Sequence, residues 1–272
     1  MGKKIFFFDL DETLLTTDKK LSPKTYEALK VWDSKGNIIA INSGRPMASV
    51  IATIKEHRLD AFNTYAIAFD GAQVKDLHTG QDIIKKTVSL SDCAIAAKIL
   101  KENHTHIHAY SDDSILSCAD DEEIHFYTRT VKLPFRVLSD FPEGIEYPPC
   151  KLLGVRIAET ETLPLLGDKV YEACDGRVTC LMSNPHLPEI FPSSAGKGTA
   201  LKELAATLGV DIKDTFAAGD APNDISMLEE AGCGIAMING DPEVKKAADM
   251  ITEYDNNHDG LADIIIAMHD MN

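Results

Sequence analysis

Five short apolar segments constrain the fold of this 272-residue chain more than any other feature. They are IFFF (5–8), IIAI (38–41), YAIAF (65–69), TFAA (215–218) and GIAM (234–237). Segments that are apolar throughout suit strands buried on both faces, and a helical pattern follows most of them. The alternation predicts an α/β fold with a Rossmann-like, doubly wound parallel sheet and helices on both sides.

The middle of the chain has a different pattern. HIHAYSDDSILSC (106–118) alternates around the polar residues 111–113, which predicts a hairpin. KLLGVRIA and GRVTCLMS are typical of further strands, and helices are predicted over 91–102 and 163–173. We therefore expect a discontinuous core, residues 1–82 plus 189–272, with an inserted α+β cap domain at 83–188.

Charge and cysteine content narrow the class of protein. The chain carries 43 acidic and 27 basic residues, a formal net charge of −16 that disfavours a nucleic-acid partner. No apolar segment is long enough for a signal-peptide core or a membrane span. Six cysteines without a CxxC pair suit reduced, structural thiols. These features predict a cytoplasmic protein with no membrane partner and leave its oligomeric state open.

Polar and small residues follow each of the five apolar segments. In an open α/β sheet, ligands bind beyond the carboxyl ends of the strands, so these residues predict a site at that edge. They are Asp9, Asn42-Ser43-Gly44, Asp70-Gly71, Gly219-Asp220 and Asn239-Gly240.

Two acidic clusters suggest a metal ion at this edge. Asp9 and Asp11 have the spacing that places both on one side of an extended backbone, where they could share a divalent cation. GDAPND (219–224) brings Asp220, Asn223 and Asp224 into one strand-to-helix turn. The alternatives are a surface DxD loop and plain helix capping, but the second cluster has more polar groups than one cap requires.

Phosphate-binding chemistry is suggested by two weaker features. INSGR (41–45) offers a hydroxyl, a flexible glycine and exposed amides beyond a strand. Lys197 stands where a helix begins and could place an ammonium on a phosphate oxygen. Taken alone, Lys197 is more simply interpreted as an exposed lysine at a helix start.

Together, DLDETL, Ser43, Lys197 and GDAPND resemble the four motifs of the haloacid dehalogenase-like (HAD) phosphatase superfamily. YAIAFDGAQV, the inserted block, AGKGTAL and GDAPNDISML are more narrowly similar to its Cof-type members with a large α/β cap, subclass IIB. The resemblance covers essentially the whole chain.

This resemblance implies a set of residue roles. Asp9 would be the nucleophile and Asp11 the general acid and base. Mg²⁺ would be held by the Asp9 carboxylate, the Asp11 backbone carbonyl and Asp220. The phosphoryl group would be bound by Leu10, Ser43, Gly44, Lys197 and Asn223. Support would come from Asp224, Thr13 and Arg45.

The function implied is a Mg²⁺-dependent phosphomonoesterase acting on a small phosphorylated metabolite, such as a sugar phosphate, through an aspartyl-phosphate on Asp9. Alternatives are a phosphohexomutase-like phosphotransferase and a non-catalytic phosphometabolite-binding regulator. Two residues depart from the family pattern: Glu12 stands where Gly is usual, and Asp70 where Asn is common.

His104, His106 and His108 alternate, which in a strand would place them on one face. A metal site there is less expected than side chains of a cap strand, because no further ligand stands at a suitable spacing.

Overall fold

The computed structural model describes residues 2–270. Contacts divide the chain into two compact units, Met1–Ile84 with Gly196–Asn272 and Lys85–Ala195. The predicted α/β class is confirmed, with a Rossmann-like sheet in the first unit. Within the described range, no helix has the length and apolar character needed to cross a bilayer.

The strands and helices are given in chain order. The strands are β1 (Ile5–Phe8), β2 (Ile38–Asn42), β3 (Thr64–Ala68), β4 (Gln73–Asp76), β5 (Asp82–Lys85), β6 (His106–Tyr110), β7 (Ile115–Ser117), β8 (Phe135–Val137), β9 (Leu152–Val155), β10 (Val178–Asn184), β11 (Leu187–Pro192), β12 (Thr215–Gly219), β13 (Cys233–Ala236) and β14 (Met250–Ile251). The helices are α1 (Pro23–Ser34), α2 (Met47–Glu56), α3 (Leu90–Glu102), α4 (Glu122–Val131), α5 (Leu163–Ala173), α6 (Lys197–Leu208), α7 (Ile225–Glu230), α8 (Pro242–Ala247) and α9 (Ala262–Asp270).

The sheet of the first unit has the order β14-β13-β12-β1-β2-β3-β4-β5. The five apolar segments form β1, β2, β3, β12 and β13, which pair in parallel as predicted. The strand β1 lies between β2 and β12, so the chain leaves it in one direction and returns on its other side. In open α/β sheets, ligands bind at such a point, beyond the carboxyl ends of the strands.

The apolar segment IFFF is buried on both faces of this sheet. On one face, Phe6 stacks on Phe8 with ring centroids 4.1 Å apart and meets Trp32 of α1 edge-on. On the other face, Ile5 and Phe7 share a core with residues of α6. All four strand residues are fully buried, and each contributes roughly 2 kcal/mol of hydrophobic stabilisation. The strand is apolar throughout because neither face meets water.

The second unit contains a sheet of order β10-β11-β9-β6-β7-β8. The predicted hairpin is confirmed as β6 and β7, which pair antiparallel. Ile107 and Ala109 of β6 lie in a hydrophobic core with α3 and α5. His106, His108 and Tyr110 alternate with them and are also buried. One strand therefore separates an apolar core from a buried polar face.

The predicted boundary at residue 189 is wrong. The strand β11 pairs with β10 and β9, which places residues 189–195 in the second unit rather than in the core. Pro185 and His186 form the turn that joins β10 to β11. The prolines in LPEIFP hide this strand, since proline cannot donate a ladder hydrogen bond.

The prediction that His104, His106 and His108 share one face of a strand is wrong for His104. That residue precedes β6 and has φ +53°, so it lies in a turn outside the strand. His106 and His108 alone lie in β6.

Candidate active site

Four strands bring the predicted site residues to one sheet edge. Asp9 directly follows β1, and its backbone amide donates to the carbonyl of Ala218 in β12, 3.0 Å away. Ser43 follows β2, and its amide donates to the carbonyl of Ile67 in β3, also over 3.0 Å. Ladder hydrogen bonds thus continue one residue beyond the strands and fix the start of both loops.

Lys197 is the centre of the most buried charged cluster at this edge. Its side chain is 1% exposed, and Nζ lies 2.6 Å from Asp9 Oδ1 and 2.5 Å from Asp224 Oδ1. The interpretation as an exposed helix-start lysine is therefore wrong. Asn42 Nδ2 donates to the carbonyl of Lys197 over 3.1 Å and ties the first residue of α6 to the end of β2. The role of the Asn42 side chain depends on this contact and is not visible in the sequence.

Asp224 organises the GDAPND turn. Its Oδ2 accepts hydrogen bonds from the backbone amides of Asp220 and Ala221, each 3.0 Å long. Its other oxygen accepts from Lys197. A fully buried carboxylate is stable here because charged and backbone donors replace its lost hydration. Asp220 is oriented separately, because Thr13 Oγ1 donates to its Oδ1 over 2.6 Å.

Three carboxylates could hold a metal ion. Asp9, Asp220 and Asp224 each offer one oxygen, and these oxygens lie within 4.8 Å of one another. Oxygen donors of this kind suit a hard divalent cation. Burial and the neighbouring carboxylates raise the pKa of Asp9, against the lowering effect of Lys197, and burial raises the pKa of Asp220 to about 6. A cation would relieve this repulsion, so the donor set fits the metal that the sequence suggests.

The side chain of Asp11 lies outside this group of three. Arg45 donates to it from Nε over 2.8 Å and from Nη2 over 2.5 Å, and Lys19 Nζ lies 3.0 Å from its Oδ1. Burial acts to raise the pKa of Asp11, but Arg45 and Lys19 lower it below its ordinary value. The sequence carried no signal for Lys19, which approaches from a loop.

Glu12 has a conformational explanation. Its φ of +58° and ψ of +9° place it in the left-handed region, which glycine enters most easily. Thr17, Lys19 and Asn256 hold the Glu12 carboxylate by hydrogen bonds, and it is not one of the three carboxylates that could hold a metal ion. A glycine would suit this backbone without those contacts, so the side-chain contacts offset the strain of a non-glycine residue.

Asp70 contacts Ser43 and Asn223 and lies beside Gly44, three of the predicted phosphate-binding residues. Its amide donates to the carbonyl of Ser43 over 3.2 Å, and Asn223 Nδ2 donates to its Oδ1 over 3.1 Å. A Cβ added to Gly44 would lie 3.0 Å from both carboxylate oxygens of Asp70. Asp70 also raises the pKa of Lys197, together with Asp224 and Asp9 and against the effect of burial. A further carboxylate therefore borders the predicted phosphate-binding residues.

Comparisons with known proteins identify the family of this chain. A family model described as haloacid dehalogenase-like hydrolase matches residues 6–265. The Streptococcus pyogenes protein M6_Spy0533 is 30% identical over 97% of this chain and 98% of its own length. The Bacillus subtilis 5-amino-6-(5-phospho-D-ribitylamino)uracil phosphatase YwtE is 30% identical over 95% of this chain and 96% of its own.

A solved haloacid dehalogenase-like hydrolase from Bacteroides thetaiotaomicron has the same fold. It is 26% identical, has a TM-score of 0.89, and the match covers 98% of this chain and 100% of the other. The chain belongs to the haloacid dehalogenase-like hydrolase family, in the Cof-type group that its motifs resemble. Within that family it is a phosphatase.

Proposed function

We propose that this phosphatase is a Mg²⁺-dependent phosphomonoesterase that forms an aspartyl-phosphate on Asp9. The supporting observation is the Asp9 carboxylate itself, which is buried at a strand end with a fully buried Lys197 on one oxygen. The only hydrogen bond that the described residues direct at this carboxylate reaches Oδ1. Oδ2 is then the oxygen that attacks phosphorus and forms the new bond.

Asp11 would move the proton. The leaving alkoxide needs a proton as its bond to phosphorus breaks, and the water that later hydrolyses the intermediate must lose one. In the ion pair with Arg45 and Lys19 the carboxylate is held ionised, the form that acts as a base. To donate a proton it must first acquire one, so weakening of the Arg45 contact would accompany the first step.

Charge stabilisation would come from several groups. Bound Mg²⁺, held by Asp9, Asp220 and the Asp11 backbone carbonyl with support from Asp224, would neutralise charge on the phosphoryl group. Lys197, Ser43, Asn223 and the backbone at Leu10 and Gly44 would bind the phosphoryl oxygens. Preorganised donors in a buried site lower the barrier without further rearrangement.

For the substrate we propose a small phosphorylated metabolite of the sugar-phosphate class. YwtE, by its name, acts on a molecule carrying a phosphorylated ribityl chain. A sugar phosphate shares with that molecule a primary phosphate ester on a polyhydroxylated carbon chain. The shared reacting group supports this class.

The test is release of inorganic phosphate from p-nitrophenyl phosphate and glucose 6-phosphate, with Mg²⁺ and with EDTA. Asp9→Asn keeps the shape of the side chain and removes the nucleophile, so we expect a loss of at least about 10³-fold in kcat. Asp60→Asn, at an exposed position, is the control and should retain activity. Full activity of Asp9→Asn, or of the wild type in EDTA, would contradict the proposal. Transfer of phosphate to a sugar without free phosphate would indicate a mutase instead.

A further inference from the structure

A second cluster of reactive groups lies in the inserted unit, at the end of β7. Cys118 follows that strand, and its amide donates to the carbonyl of Ile107 over 3.2 Å, which fixes the residue beside β6. Its Sγ lies 3.8 Å from Nδ1 of His106. The other ring nitrogen of His106 lies 3.4 Å from Ser117 Oγ. A thiol and an imidazole are therefore held together by the hairpin itself.

The surroundings favour the charged form of the imidazole. Asp121 Oδ2 lies 2.8 Å from the same Nδ1, and its Oδ1 caps α4 by accepting the amide of Ile124. Burial acts to lower the pKa of His106, but Cys118 and Asp121 raise it above its ordinary value. The His106 side chain is fully buried, so its charge is poorly screened by water.

The pKa of the Cys118 thiol is shifted in the opposite direction, to below its ordinary value. Burial acts to raise the pKa of Cys118, but the hydrogen bond and charge of His106 lower it, helped by the Ile107 backbone and by Lys101 of α3. The charged groups facing Cys118 are thus His106 and Lys101, with Asp121 acting on the same imidazole. Cys118 is half-buried and packs against the hydrophobic core of this unit, whereas Cys93, Cys150 and Cys174 are buried.

Cys180 and Cys233 are also half-buried, and their pKa values can be compared with that of Cys118. Burial raises the pKa of Cys180 to about 12, with Glu189 and Asp168 adding to the effect. Burial and Asp249 raise the pKa of Cys233. Both thiols face carboxylates, whereas Cys118 faces an imidazole.

We propose that Cys118 is an oxidative modification site, where a thiolate paired with the His106 imidazolium reacts with hydroperoxides. In the reaction, the thiolate attacks the terminal oxygen of ROOH, the S–O bond forms and the O–O bond breaks. Sulfur is oxidised to a sulfenic acid, the peroxide is reduced, and the departing alkoxide takes a proton to leave as ROH. Thiolates that are exposed beside a cation are the ones that this chemistry selects.

The first experiment is alkylation of the full chain with iodoacetamide across a pH series, followed site by site with peptide mass spectrometry. We expect Cys118 to react at least about threefold faster than Cys180 and Cys233 at pH 7, because the thiolate is the nucleophile. We also expect the midpoint of its pH profile to lie below that of an ordinary thiol. A midpoint in the ordinary thiol range would overturn the proposal, and this measurement needs no variant.

His106→Asn tests the partner. Its amide can still donate to Asp121 but carries no charge, so the Cys118 profile should shift to higher pH while those of Cys180 and Cys233 stay unchanged. A thermal melt verifies that the variant is folded. An unshifted Cys118 profile in the folded variant contradicts the pairing with His106.

Hydrogen peroxide tests the modification itself, with dimedone trapping the sulfenic acid. The adduct should form on Cys118 of the wild type, less on Cys118 of His106→Asn, and not at this position in Cys118→Ser. A dimedone adduct distributed equally over Cys118, Cys180 and Cys233 would overturn the proposal.

Discussion

Asp70 places a carboxylate beside the proposed phosphate-binding residues. It is 93% buried beside Ser43, Gly44 and Asn223, and its charge reaches Lys197. Its carboxylate repels an anion that approaches the same donors. Asp70→Asn keeps the shape of the side chain and removes the negative charge, so we expect inorganic phosphate to inhibit about three- to tenfold more strongly. The measurement is the inhibition constant of phosphate against p-nitrophenyl phosphate hydrolysis.

The matched control for Asp70→Asn is Asp60→Asn, which removes an equal charge from an exposed position. A similar gain in both variants would mean that net charge, rather than the position of Asp70, decides phosphate affinity. Unchanged inhibition in Asp70→Asn would show that its charge is already compensated in the folded protein.

Glu12 allows backbone strain to be separated from side-chain contacts. Glu12→Ala loses the contacts with Thr17, Lys19 and Asn256 but keeps the Cβ that makes φ +58° unfavourable. Glu12→Gly loses the same contacts and also relieves that strain. We therefore expect Glu12→Gly to be about 1 kcal/mol more stable than Glu12→Ala in urea unfolding. Equal stability of the two variants would contradict the role given to the backbone.

At the level of elements, the start of α6 depends on the turn that follows β3. Gly71 has φ +92°, and a Cβ there would lie 2.3 Å from the carbonyl oxygen of Gly196, directly before Lys197. Gly80 has φ +72° but nothing within 4 Å of an added Cβ. Gly80→Ala should therefore cost about 1 kcal/mol from strain alone. Gly71→Ala should cost clearly more, because backbone must also move.

Thermal melts of Gly71→Ala and Gly80→Ala compare the loss of stability in the two variants. Phosphatase assays compare their kcat. A shift of the residue before Lys197 moves the ammonium that contacts Asp9, so Gly71→Ala should also lower kcat, whereas Gly80→Ala should not. Equal loss of stability in the two variants would contradict the close approach of the turn to α6.

The strands and helices that were predicted correctly each have a clear pattern of apolar residues in the sequence. The strands β1, β2, β3, β12 and β13 are buried on both faces, and α5 was predicted at its observed bounds, 163–173. The unpredicted β5 and β14 are short and partly exposed, so they lack both a continuous apolar run and clear alternation. The candidate site followed from strand ends and motif resemblance. Its ion pairs did not, because Lys19 and Arg45 reach Asp11 only through the folded loops.

At the scale of the whole molecule, the acidic cluster of Asp9, Asp220 and Asp224 should make the free energy of unfolding depend on pH. Asp220 has its pKa raised to about 6 by burial and by Asp224, against the lowering effect of Thr13. The unfolded chain would titrate this carboxyl near its ordinary value of about 4. Between these values the folded state binds more protons than the unfolded state, so the contribution of Asp220 to stability falls as pH rises through 6. Above pH 6 we expect the ionised group to destabilise the metal-free protein by about 1–3 kcal/mol.

Asp220→Asn isolates this contribution, because it keeps the shape of the side chain and does not titrate. In EDTA, we expect the variant to become more stable relative to the wild type as pH rises from 5 to 7, measured by urea unfolding at each pH. With Mg²⁺ at pH 7 the order should reverse, since the wild type gains binding free energy that the variant largely lacks. A stability difference independent of both pH and Mg²⁺ would place Asp220 outside the metal site. A difference that responds to pH but not to Mg²⁺ would confirm the raised pKa and contradict the metal assignment.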